Sequence, residues 1–234
     1  MLLNRFDECQ SICAMILEKE DPNNETAQVM MADLSFRKID FENAAYHFSQ
    51  LILHKPTYWT ALARLIEVMR RIGTMSDITN FIERAEETAD SSDVGLNFCK
   101  GLYEWYTCNP NAALRFFNNC RRDLEFGKQS IFNMVCICVD PDNDLPSELD
   151  LSENGIDLDA DGNNSRQIAL KTAERLLKDL QPKTNIIDQE ALNHKLMENF
   201  LLMATKTKSN VDRALHNLTA ITNQEEFKEN IGVT

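Results

Sequence analysis

Apolar residues recur at helical spacing along most of the chain. Ala44, Phe48 and Leu51 are separated by four and then three positions, which places them on one stripe of a helix. Similar stripes predict helices elsewhere, in segments 2–20, 58–71, 129–139, 166–180, 187–205 and 211–221. The hydrophobic pattern therefore predicts an all-α fold.

The stripes also repeat along the chain, with a period of about 34 residues. The positions that correspond in three successive units are Ala44, Ile78 and Ala113, and then Phe48, Ile82 and Phe117. Such a period indicates stacked helix pairs that bury their apolar faces on their neighbours. Ile66 and Ile78 stand where small residues are expected, so the helices of the second pair should lie slightly further apart.

Residues 24–56 show the arrangement within one unit most clearly. Met31 and Ala32 form a large–small pair in the first helix, Phe41 follows the turn, and Pro56 ends the second helix. This order resembles the tetratricopeptide motif. The resemblance implies a right-handed superhelical solenoid of antiparallel helix pairs, with about five to six repeats.

The chain is predicted to form one array with a single interruption. Residues 1–139 are helical repeats whose first repeat is incomplete, because segment 2–20 matches a second helix without a first. Residues 140–165 hold nine acidic and no basic residues and lack apolar periodicity, which predicts a disordered acidic insertion loop. Residues 166–223 continue the array and 224–234 form a tail. An array without polar caps is expected to be part of a longer protein.

The charge of the chain narrows the classes of partner. Its formal net charge is −13 and its pI is about 4.8, so nucleic acid and anionic membranes are not expected partners. Proteins with basic surfaces are the favoured class of binding partner. Arg5, Asp7 and Glu8 interrupt the apolar N-terminal run, which argues against a signal peptide, and no run is long enough for a membrane span. We therefore expect a cytoplasmic protein without direct membrane insertion.

The seven cysteines predict neither a disulfide framework nor a zinc site. Their number is odd, and Cys136 and Cys138 are too close together for a zinc-binding pair. Cys9 and Cys13 lie four positions apart and should share one helix face. We expect reduced thiols, most of them buried.

Motifs for catalysis and metal binding are weak. Asp157, Asp159, Asp161 and Gly162 match the first half of a calcium-binding loop, but Ile168 stands where that loop needs a bidentate glutamate. The histidines are not spaced as helical metal pairs, and they are His47, His54, His194 and His216. Phosphate-binding and nucleophile motifs are also missing from the sequence. The sequence therefore predicts no catalytic, cofactor-binding or metal-binding residue, and no enzyme.

Three aromatic residues stand within four positions of each other, at Tyr103, Trp105 and Tyr106. They cannot all face the same side of a helix. One or two of them are expected in the core, and the remainder can line a groove or a partner surface.

Several segments carry a closer family resemblance than the general motif. They are residues 32–38 (ADLSFRK), 99–107 (CKGLYEWYT), 112–118 (AALRFFN) and parts of 197–211. These segments resemble the tetratricopeptide repeat protein 21 family, the long repeat subunit of intraflagellar transport complex A. The resemblance implies a non-enzymatic scaffold in retrograde ciliary transport, cilium assembly and cargo entry. Its implied partners are the other complex A subunits, and its implied locations are the cytoplasm and the cilium, at the axoneme or basal body.

The alternative function is that of a chaperone-associated tetratricopeptide adaptor. Such adaptors bind acidic peptide tails with lysines and asparagines on the first helices. The corresponding positions in this chain are Thr26, Val29, Met30, Asp33, Thr60, Ala63, Arg64 and Glu67. Only Arg64 among them is basic, which disfavours the adaptor.

Overall fold

The computed structural model describes residues 2–140, 162–180 and 189–223, and the regular structure in these ranges is helical. The helices are α1 (Leu2–Lys19), α2 (Glu25–Arg37), α3 (Phe41–His54), α4 (Trp59–Ile72), α5 (Ile78–Thr88), α6 (Val94–Tyr106), α7 (Pro110–Cys120), α8 (Gly127–Val139), α9 (Gly162–Asp179), α10 (Gln189–Ala204) and α11 (Lys208–Asn223), with one 3₁₀ turn at Met75–Asp77. The prediction of an all-α helical-repeat fold is confirmed.

The chain divides into two compact units, Met1–Cys120 and Arg121–Thr234. In the first unit α1 packs on α2, α2 pairs with α3, and α6 pairs with α7. Helix α4 packs mainly on α3 and α6 and makes a smaller contact with α5. In the second unit α8 pairs with α9 and α10 pairs with α11, while α10 also contacts α8 and α9. Helices that are consecutive in sequence therefore pack as pairs in both units.

One boundary of the predicted insertion loop is wrong. Helix α9 begins at Gly162, so the residues up to Ser165 are helical and not part of a loop. These first residues are glycine, asparagine and serine in the sequence, so no apolar stripe marks the start of the helix. The rest of the predicted loop, with the partial calcium motif at Asp157, Asp159 and Asp161, lies outside the described residues, as does the predicted tail 224–234.

The predicted stripes form the core of the first unit. Ala44, Phe48 and Ala113 are buried, and Phe117 is completely enclosed. Ile66 and Ile78 are fully buried as well, and α4 approaches α5 less extensively than α2 approaches α3. Two isoleucines in place of small residues therefore accompany a looser helix pair, as expected from their size.

Two glycines allow close helix contacts. A Cβ atom built at Gly101 would lie 2.7 Å from the Phe117 ring, which joins α6 to α7. A Cβ atom built at Gly95 would lie 2.1 Å from the Trp59 ring, which joins α6 to α4. Real Cβ atoms do not approach other carbons so closely, so both positions require the absence of a side chain.

The first helices of the first unit end in the same left-handed turn. Its central residues are Ile39 (φ 64°), Gly73 (φ 89°) and Cys108 (φ 65°). At each turn the next residue donates its N–H to a carbonyl five positions back, as Asp40 does to Ser35 at 2.9 Å. This is the Schellman arrangement, in which glycine is the favoured residue. Isoleucine, branched at Cβ, adopts this backbone only with strain.

Ile39→Gly is expected to raise the free energy of unfolding by about 1 kcal/mol, because glycine relieves the strain of a left-handed backbone. The side chain of Ile39 is 74% exposed, so little packing is lost. Urea unfolding followed by tryptophan fluorescence measures the effect, since both tryptophans, Trp59 and Trp105, lie in the first unit. Ile39→Ala keeps the strain and serves as the control. An equal gain from alanine would contradict this explanation.

A side-chain hydrogen bond between the first and the second helix, called a polar clasp below, recurs in three helix pairs. The clasps join Gln28 to His47 at 2.7 Å, Asn97 to Asn119 at 3.2 Å, and Asn199 to Asn217 at 3.0 Å. The buried amides of Gln28 and Asn97 also donate to carbonyl groups of the preceding turn, those of Pro22 and Ser91. Leu62 takes the corresponding position in α4. The clasps satisfy buried amides and fix the pairing of their helices.

Candidate protein-binding surface

The exposed faces of the first helices α2 and α4 are the first candidate surface. All eight positions that correspond to a chaperone clamp are at least partly accessible to solvent. The Glu67 carboxylate lies 3.3 Å from Arg71 and 3.8 Å from Arg64. Arg64, the single cation at the clamp positions, is therefore partly neutralised by Glu67. These positions offer little positive charge to bind an acidic peptide tail.

An apolar groove lies between α1 and α2. It has a volume of about 430 Å³, and its lining includes Cys9, Ile12, Ile16, Ala27 and Met30. The side chain of Ile12 is 54% exposed. Such a groove can bind an apolar helix face.

None of the three clustered aromatic residues is fully buried, although one or two of them were expected in the core. Trp105 stacks on Tyr106 with ring centres 5.3 Å apart, and its ring is nearly perpendicular to the enclosed Phe117 ring. The Tyr103 hydroxyl lies 3.0 Å from the Thr79 hydroxyl of α5. All three side chains are half-buried, so each of them contributes to packing and remains accessible.

Arginines and aromatic rings alternate where the first helices end. The contacts that form this arginine–aromatic row are Arg37 over Phe6 at 5.9 Å, Arg71 over Phe36 at 4.9 Å and over Phe41 at 5.5 Å, and Arg70 over Tyr106 at 4.2 Å. Burial raises the pKa of the Tyr106 hydroxyl, although Arg70 opposes this effect. Cations over ring faces attract the ring electrons, and this attraction strengthens as water is excluded.

The row was not predicted, although the sequence contains a signal for it. The equivalent positions in three successive repeats are Phe36-Arg37, Arg70-Arg71 and Trp105-Tyr106. An aromatic residue in one repeat therefore corresponds to an arginine in the next. Arg70 and Arg71 fall outside the clamp positions, nearly two turns beyond Arg64, and were not considered for that reason.

The second unit has a larger and more polar groove. It has a volume of about 700 Å³ and is formed by residues of α9, α10 and α11, among them Leu170, Lys171, Leu201, Leu202 and Arg213. Aliphatic and charged side chains both line this groove. Its volume leaves room for part of a protein partner.

Most cysteines are buried thiols. All seven are free; Cys108 is exposed, and Cys9 and Cys136 are half-buried. Burial raises the pKa of the Cys136 thiol to about 11 and that of Cys138 to about 12, and it also raises the pKa of Cys99. These thiols are protonated near neutral pH and are poor nucleophiles.

Two of the four histidines take part in contacts between helices, and the other two are exposed. His47 belongs to a polar clasp, and the His194 ring lies 3.0 Å from the Leu177 carbonyl. His54 and His216 are exposed. In the described part of the chain, no three histidine, cysteine or acidic residues are grouped so that they could hold a metal ion. None of the described helices is long and apolar enough to cross a membrane.

Acidification should destabilise the first unit through His47. Burial lowers the pKa of His47 below its ordinary value of 6.5. As pH falls through that value, the unfolded chain takes up a proton before the folded chain does, so the free energy of unfolding decreases. The expected result is a urea midpoint that decreases more between about pH 7.5 and about pH 5 in the parent protein than in His47→Gln. The exposed His54 on the same helix provides the control, His54→Gln. Equal slopes for the parent and His47→Gln would refute this assignment.

Comparison with known proteins matches most of the chain. A family model described as the TT21 fifth ARM repeats domain matches residues 25–139. Tetratricopeptide repeat protein 21B from Homo sapiens is 43% identical over 228 residues, which cover 94% of this chain and 17% of that protein. The Xenopus laevis 21B protein is 36% identical over 236 residues, 99% of this chain and 18% of its own length. Human tetratricopeptide repeat protein 21A is 33% identical over 229 residues, 97% of this chain and 17% of its own length. The chain thus spans less than a fifth of the length of these relatives.

Proposed function

Because the chain belongs to the tetratricopeptide repeat protein 21 family, we propose that it is a non-enzymatic protein-binding scaffold segment of intraflagellar transport complex A. Its role is to hold other complex A subunits in place during retrograde ciliary transport, cilium assembly and cargo entry. The proposed locations are the cytoplasm and the cilium. Similarity to the human 21B protein over 94% of the chain is the observation that carries this proposal.

The packing of the helices supports a scaffold role. Each helix pair buries its apolar stripe, while the first-helix faces of α2 and α4 remain accessible. Stacked repeats of this kind present long continuous surfaces that suit protein partners. The α1–α2 groove and the groove of the second unit add apolar area for docking.

The charge of the chain supports the choice of protein partners. Nine acidic residues in segment 140–165 account for most of the net charge of −13. Such a segment attracts basic protein surfaces and repels nucleic acid. We therefore propose partners that carry basic patches, with neither nucleic acid binding nor membrane insertion.

Affinity capture from ciliated cells tests the proposal. The tagged 234-residue chain is expressed in these cells, and the proteins that bind it are identified by mass spectrometry. The expected result is enrichment of other complex A subunits over a tag-only control. The variant Gly95→Ala, which disturbs the packing of α4 on α6, should weaken that enrichment.

Two outcomes would count against complex A. Capture of chaperones alone would favour the adaptor function. Equal recovery of complex A subunits with the tag alone would show that the association does not depend on this chain. Both outcomes would leave the helical-repeat fold unaffected, because the fold rests on separate observations.

A further inference from the structure

We propose that the arginine–aromatic row of the first unit binds an acidic peptide segment through the carboxylates of that segment. The proposed site consists of Arg37, Arg70 and Arg71 with the rings beneath them. It lies at the ends of the first helices and is separate from the clamp positions on their exposed faces. The inference goes beyond the scaffold role, because it specifies the chemistry of one ligand.

The rings hold the guanidinium groups in place before any ligand arrives. Phe36 packs against Phe41 with ring centres 5.5 Å apart, and Tyr106 is stacked with Trp105. Arg71 and Arg70 lie over rings from these two pairs. A planar guanidinium that contacts a ring through its face keeps its N–H groups at the edge free to donate. Ordering of the side chain therefore costs less free energy when a carboxylate binds.

The arginines are accessible and only partly neutralised. Arg37 and Arg70 are exposed, and the side chain of Arg71 is 49% exposed. Arg71 contacts Glu67, whereas within the described residues no carboxylate lies within 4.0 Å of Arg37 or Arg70. Arg37 and Arg70 thus keep N–H groups for a carboxylate, although Arg70 also donates to the Tyr106 hydroxyl.

The position of the arginines stabilises their positive charge. Arg37 ends α2, and Arg70 and Arg71 lie in the last turn of α4, where the free carbonyl groups of a helix end favour cations. Three cations therefore lie at the ends of the first helices, although the chain is acidic overall. The arginine–aromatic row therefore favours an acidic ligand, whereas the net charge of the whole chain favours basic partners.

The size and charge of the row favour a carboxylate peptide over other anions. Three arginines on a chain of net charge −13 cannot offset the repulsion of a long polyphosphate. Apolar rings lie between the cations, so a segment that alternates acidic and aliphatic residues matches both kinds of surface. An extended segment places its side chains about 3.3 Å apart along its length, and it can span several contacts of the row.

Fluorescence anisotropy with a defined peptide tests the proposal. The probe is a fluorescein-labelled peptide of alternating glutamate and leucine, titrated with the full 234-residue chain. A Kd on the order of 10–100 μM is expected, and Arg70→Ala should weaken binding about tenfold through loss of a charge-assisted contact. The matched control is Arg115→Ala, which removes an exposed arginine from α7 and should leave the Kd unchanged.

A conservative variant separates binding from folding. Arg70→Lys keeps the charge but loses the planar group, and it should recover only part of the affinity. Thermal unfolding of each variant shows whether the first unit is intact. Failure of the peptide to bind, an equal loss with Arg115→Ala, or equal binding of a lysine–leucine peptide would overturn the proposal. Binding of a phosphoserine–leucine peptide of the same length, without binding of the glutamate–leucine peptide, would also overturn it, since the ligand would then be a phosphate.

Discussion

Phe117→Ala is expected to lower the free energy of unfolding of the first unit by about 3–5 kcal/mol. The Phe117 side chain is fully enclosed, and its ring centre lies 5.8 Å from that of Phe98 and 6.5 Å from that of Trp105. Removal of the ring loses its burial and leaves a cavity between α6 and α7. Urea unfolding followed by tryptophan fluorescence measures the change, and Trp105 reports directly on this region.

A double-mutant cycle with Gly101 shows whether the ring determines the close contact. Gly101→Ala alone is expected to cost about 1–3 kcal/mol, because its methyl group meets the Phe117 ring. In the Phe117→Ala background the methyl group enters vacated space, so its cost should fall by at least about 1 kcal/mol. Additive effects of the two substitutions would contradict direct contact between these positions.

Gly95→Ala is expected to destabilise the first unit by about 2 kcal/mol, although alanine is the better helix former by about 1 kcal/mol. The added Cβ atom would lie 2.1–2.7 Å from three carbon atoms of Trp59, and one of them is Cβ. Atoms so close to the backbone of α4 cannot rotate away, so the two helices must move apart. The measurement is again the urea midpoint of the tryptophan transition.

The control for Gly95→Ala is Asn111→Ala. Gly95 and Asn111 are each the second residue of a helix, in α6 and α7 respectively, but Asn111 is exposed. Its substitution should change the free energy of unfolding by no more than about 0.5 kcal/mol. A stabilising Gly95→Ala would show that helix propensity outweighs the contact with Trp59, and that α4 and α6 are packed less closely than described.

The sequence was sufficient to predict the helix pairs and most of the core. Stripes such as Ala44, Phe48 and Leu51 are periodic, and burial of one face follows directly from that period. The resemblance to the tetratricopeptide repeat protein 21 family was also correct. The start of α9 at Gly162 was missed, because a polar first turn has no apolar signal.

Features that depend on contacts between helices, or on an unusual residue in a turn, were not predicted. The clasp of Gln28 and His47 involves ordinary polar residues whose distance is set by the packing of α2 on α3. The left-handed turn at Ile39 was not predicted, because glycine is the residue that usually indicates such a turn. The arginine–aromatic row requires that Arg71 and Phe36, far apart in sequence, meet across neighbouring helices.

Hydrogen–deuterium exchange of the chain, alone and bound to purified complex A subunits, tests the scaffold claim most directly. The expected result is slower exchange in the complex at amides of accessible elements, first at the C-terminal turns of α2 and α4. Amides around the buried Phe117 should exchange slowly in both states, since the core already protects them. Identical exchange of all described helices in the free and bound samples would contradict the claim that this chain works by presenting a protein-binding surface.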